Sequence, residues 1–157
     1  MSAPAGTVTR PPARLSPGRA KNLRLGSFAA FLILVVQFGI GAYVNLYVSV
    51  PAADQGAGFG KAIANGPGWL TLHIVVGLVL IASALGVLIH AVLARHPALI
   101  TIAVLGLISM VGAAAEGARF ASSGNDGASL GMAIFTGAGL LCYGVSLYVL
   151  AAAPRAR

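Results

Sequence analysis

The chain is 157 residues long, 58% hydrophobic and only 8% charged, with a formal net charge of +7. Soluble domains carry roughly 25% charged residues, so this composition excludes an ordinary soluble globular domain, and its wealth of apolar residues excludes disorder except at the ends. The positive charge flanks apolar runs instead of forming a patch, which reads as membrane topology and not as a nucleic-acid face.

Residues 1–24 hold Pro4, Pro11, Pro12 and Pro17 among Ala, Ser and Arg, without apolar periodicity, and read as a disordered basic tail. Residues 25–48 carry no charge and are long enough to cross a hydrocarbon core of ~30 Å. They are the first predicted span. A cleaved signal peptide is the competing reading, but signal cores run only about 7 to 15 residues.

Residues 50–68 are rich in Gly and Ala and end in Asn65-Gly66-Pro67-Gly68, a cluster of turn residues that predicts the longest loop. The second span covers 69–93, with Trp69 placed as an interfacial aromatic. Ala94-Arg95-His96-Pro97 is a tight basic turn whose proline suits the first turn of the third span, over 97–118. Residues 119–126 form a short polar loop in which Asn125 or Asp126 is placed to cap the next helix. The fourth span covers 127–153, and 154–157 form a second short tail.

Four spans put both termini on one side. With them lie Arg10, Arg14, Arg19, Lys21, Arg24, Arg95, Arg155 and Arg157, against Lys61 and Arg119 on the other. The positive-inside rule therefore predicts cytoplasmic termini. The expected fold is all-α, an up-down-up-down four-helix transmembrane bundle, in the inner or plasma membrane.

Charged groups inside a span cost about 2.5 to 3.5 kcal/mol at a helix centre, so each one points toward function. Glu116 lies about a turn from the outer end of its helix, and His73, Asn45 and Ser129 share that depth on the other three. The expectation is a polar cluster of Asn45, His73, Glu116 and Ser129, with His73 and Glu116 as its ionisable pair and Arg119 at its rim. The alternative is that Glu116 pairs with Arg119 on its own helix. Gln37, near midplane, is expected to make one interhelical hydrogen bond worth about 0.6 kcal/mol.

Haem b is the alternative cofactor reading, with His73 and Met132 as a His/Met pair. Bis-histidine ligation does not fit: His73 and His90 lie about 25 Å apart along one helix, and His96 is in the basic turn. No metal site is expected, because His73 and Glu116 supply two ligands where zinc takes four. The lone Cys142 forms no internal disulfide and no CxxC pair. Walker, GxSxG and HExxH motifs are absent, so a soluble-type active site is not expected.

Leu72-His73 opening the second span, Glu116-Gly117 followed by Phe120, and Asn125-Asp126 with Ser129 and Met132 opening the fourth resemble small bacterial four-span integral membrane proteins of uncharacterised function, over residues 25–152. A fainter likeness is to one four-helix half of membrane haem proteins such as haem A synthase and the b-type cytochromes, whose paired inward histidines this chain lacks. The reading from sequence is a non-enzymatic structural or accessory membrane protein. The alternatives are a haem-handling protein using His73 and a proton-linked transporter using Glu116. The expected partners are the lipid bilayer and a homo-oligomer or larger membrane complex, with no nucleic acid.

Overall fold

The computed structural model describes residues 16–48, 58–123 and 125–152. They form α1 (Pro17–Tyr47), α2 (Gly58–Asn65), α3 (Gly68–Ala94), α4 (Pro97–Ser123) and α5 (Asp126–Ala152). α1 has 31 residues and α3, α4 and α5 have 27 each, at least about 40 Å at 1.5 Å per residue. All four are long and apolar enough to cross a membrane. Of the tails expected over 1–24 and 154–157, residues 1–15 and 154–157 lie outside the described residues, as do 50–57 of the expected 50–68 loop.

The helix boundaries have local causes. α1 starts at Pro17 and not at Leu25, with proline in the first turn, where its missing N–H costs nothing. The basic turns ahead of the apolar run are therefore helical, and Arg19 Nη1 donates to the Leu93 carbonyl, 2.8 Å away, at the end of α3. Hydropathy marks where the apolar run begins, whereas the helix begins earlier, at its own proline. α2 occupies part of the stretch expected to be loop and ends at Asn65, ahead of the Gly66-Pro67 turn.

Between α3 and α4, Arg95 takes the left-handed conformation at φ 53° and its amide bonds the Val92 carbonyl at 2.9 Å, the usual way to end a helix. His96 Nδ1 accepts the Leu99 N–H at 3.4 Å and Pro97 opens α4. Asn125 Oδ1 accepts the Gly127 N–H at 2.7 Å, capping α5 as its position in the sequence predicts.

α1 packs against α3 and α5, and α4 against the same two helices, closing a ring of four. Contacts pair early residues of one helix with late residues of its neighbour. Gly26 meets Val87 and Gly41 meets His73 between α1 and α3, while Gly106 meets Tyr143 and Gly131 meets Glu116 between α4 and α5. Glycine facing bulk lets backbones approach closely, which is how helices associate without a hydrophobic driving force. Ser27 and Ser146 add a buried hydroxyl pair at 3.0 Å between α1 and α5.

Large apolar side chains are exposed on all four long helices, Leu32, Val79, Leu105 and Leu141 among them. Soluble monomers seldom expose contiguous apolar patches beyond a few hundred Å², so this exterior suits lipid.

Candidate functional site: a cavity at the α2 end of the bundle

Packing differs between the two ends of the ring. At the end holding the start of α1 and the end of α5, Leu23, Leu34, Ala84, Leu99, Ala103 and Tyr143 join one buried core. Toward α2 the buried set thins: α3 buries nothing between Leu70 and Leu80, α4 nothing after Met110, and α5 nothing between Ala128 and Gly139. A cavity of about 450 Å³ opens there, lined by all four long helices.

Gln37 and His73 line it together with the polar side chains of Asn45, Ser122, Ser129 and Thr136. Gln37 and His73 each have a glycine one turn further along their own helix, and the two helices exchange these knobs. The Gln37 amide lies over Gly77, where a Cβ would come within 3.3 Å of Nε2, and the His73 ring lies over Gly41, where a Cβ would come within 2.8 Å of Cε1. Gln37 Nε2 donates to the His73 carbonyl at 2.8 Å. Gln37 Oε1 and His73 Nδ1 are buried and have no hydrogen-bond partner among the described residues.

Asn45 and Ser129, predicted to share a depth, meet across α1 and α5: Ser129 Oγ donates to Asn45 Oδ1 at 3.1 Å. Both line the cavity, as does Met132, whose sulfur packs against Gly117. His73 and Glu116 share no hydrogen bond among the described residues. Arg119 Nη1 takes both Glu116 carboxylate oxygens at 2.9 and 3.0 Å, so the carboxylate is held on its own helix. Glu116 packs its stem over Gly131, and neither it nor Arg119 lines the cavity. The cluster expected from sequence thus divides into three local arrangements.

Among the described residues, no group of three or more His, Cys, Asp or Glu side chains is placed to hold a metal ion. The Tyr43 ring makes tilted contacts with Trp69 at 5.1 Å and with Tyr47 at 5.2 Å between ring centroids. Sequence reasoning missed the Ser27–Ser146 pair and the role of Gly41 and Gly77 as seats for polar side chains. The Gln-x-x-x-Gly and His-x-x-x-Gly spacings were the available signal. No family model, curated protein or solved structure matches the chain.

Proposed function

We propose that the chain is a multi-pass protein of the inner or plasma membrane, an up-down-up-down four-helix bundle with both termini cytoplasmic. In this reading it acts as a non-enzymatic structural or accessory component in a homo-oligomer or larger membrane complex. The observation that carries the reading is the set of four long apolar helices with apolar side chains turned outward. The orientation is supported by eight basic residues on the side of the termini against Lys61 and Arg119 on the other. The Tyr43, Tyr47 and Trp69 group suits an interfacial belt at the opposite face. C-terminal fusions test it: a fluorescent protein that folds only in the cytoplasm should light up, and a phosphatase active only outside should stay silent.

A second reading is a b-type haem held through His73 and Met132, and the observation in its favour is that both side chains line one cavity. An oxidised and reduced absorption spectrum of protein purified from haem-replete cells tests it, with loss of the Soret band in His73→Ala as its signature. Proton-linked transport through Glu116 finds less support, because Arg119 occupies both carboxylate oxygens.

A further inference from the structure

We propose that the cavity between α1, α3, α4 and α5 is a binding site for a lipid-soluble molecule with a hydroxyl head, received by Gln37 and His73. The inference rests on the reading of the four long helices as spans, since that places the cavity within reach of molecules dissolved in the bilayer.

The size suits a small molecule. Ligand sites run roughly 300 to 1,000 Å³, with mostly apolar walls and a few convergent polar groups, and this cavity measures about 450 Å³. Its walls are built largely from side chains such as Leu70, Ile74, Ile81, Met110 and Phe120. Water fits them poorly. At about 30 Å³ each, roughly fifteen waters would fill the space, and each needs two to four polar partners.

The polar wall selects the head group. Asn45 and Ser129 bond each other, and the Gln37 amide nitrogen is spent on the His73 carbonyl. Gln37 Oε1 and His73 Nδ1 are left without partners. Gln37 Oε1 accepts only, so it requires an O–H or N–H, while an imidazole nitrogen donates or accepts according to tautomer. A hydroxyl answers both, donating to one and accepting from the other. An alkane answers neither, and a haem iron would take a ring nitrogen and leave Oε1 unpaired. A charged head finds no counter-ion on the wall, because Glu116 and Arg119 lie off it.

Both atoms are covered where the side chains now rest. The His73 ring and the Gln37 amide are seated on Gly41 and Gly77, so a hydroxyl reaches the two atoms only when the ring or the amide turns on its seat, a movement that the proposal requires. A buried polar atom without a partner is unfavourable, so pairing both atoms with a hydroxyl favours the turned arrangement.

Hydroxyl heads on apolar bodies come from two sources, phenolic quinols and aliphatic alcohols. The test uses the full chain, purified in detergent, and a long-chain alcohol bearing a photoreactive diazirine on its tail. Labelled peptides are mapped by mass spectrometry, with decyl-hydroquinone, dodecanol and dodecane as competitors. Labelling is expected on the cavity segments of α4 and α5. Either hydroxyl compound should suppress it at equal concentration while dodecane leaves it, and the stronger competitor identifies the source. The Gln37→Leu/His73→Phe double variant should lose about tenfold in labelling. The competition arm needs no variant, so a misfolded double variant leaves the question answerable. Equal competition by dodecane, labelling confined to lipid-facing residues, or a Soret band in the purified protein would overturn the proposal. Because binding is read in detergent, these outcomes are independent of the topology fusions.

Discussion

Gln37 and His73 exchange places across the α1–α3 contact: the Gln37 amide sits over Gly77 and bonds the His73 carbonyl at 2.8 Å, while the His73 ring sits over Gly41. A single bond of this kind in a membrane bundle averages about 0.6 kcal/mol and reaches about 1.7 at most. Gln37→Leu removes that bond and also removes a buried acceptor without a partner. Its cost in reversible unfolding is therefore expected to stay below about 1 kcal/mol. A loss of several kcal/mol would mean that Gln37 holds more of the fold than this bond.

Close approach at glycine should be position-specific. A Cβ on Gly112 would meet three Phe135 ring atoms, the nearest at 2.6 Å, whereas a Cβ on Gly86 meets nothing within 4 Å. Gly112→Ala is expected to cost about 1 to 3 kcal/mol through overpacking, and Gly86→Ala to raise stability slightly, by about 0.4 to 1 kcal/mol. Thermal unfolding in detergent compares them, and equal midpoints would argue against the α4–α5 packing.

The Ser27–Ser146 hydroxyl pair, buried at 3.0 Å between α1 and α5, calls for a double-mutant cycle. Ser27→Ala and Ser146→Ala together should cost less than the sum of the two, with a coupling of about 0.6 kcal/mol. Strict additivity would remove the hydrogen bond from the account.

His73 and Glu116 should behave in the opposite way. Arg119 occupies Glu116, and the His73 ring has no hydrogen bond to it. Losses from His73→Ala and Glu116→Ala are expected to add within about 0.3 to 0.5 kcal/mol. Coupling should be found instead between Glu116 and Arg119. It should be modest, about 0 to 1 kcal/mol, because the Arg119 side chain is 66% exposed.

These contrasts trace what sequence conveys about a helix in lipid. Depth follows from counting residues, so Asn45 and Ser129 could be placed at one level before their bond was seen, and Gln37 could be assigned an interhelical partner. Rotation about the axis does not follow in the same way, because apolar residues surround these helices and no polar face fixes their azimuth. For that reason His73 and Glu116 could not be assigned to separate neighbours from the sequence. The start of α1 at Pro17 and the presence of α2 escaped for another reason. Both lie outside the apolar runs, where charge and Gly-rich composition mask helices set by local stop signals.

The most direct test of the four-span reading is thiol labelling of intact and opened cells with a membrane-impermeant reagent, in a Cys142→Ala background. Single cysteines are placed at Ser16, Gly60, Ser123 and Ala152, all exposed positions at or near helix ends. Gly60→Cys and Ser123→Cys are expected to label on intact cells, and Ser16→Cys and Ala152→Cys only after the membrane is opened. Labelling of Ser16→Cys or Ala152→Cys on intact cells, or protection of Gly60→Cys and Ser123→Cys, would contradict the topology.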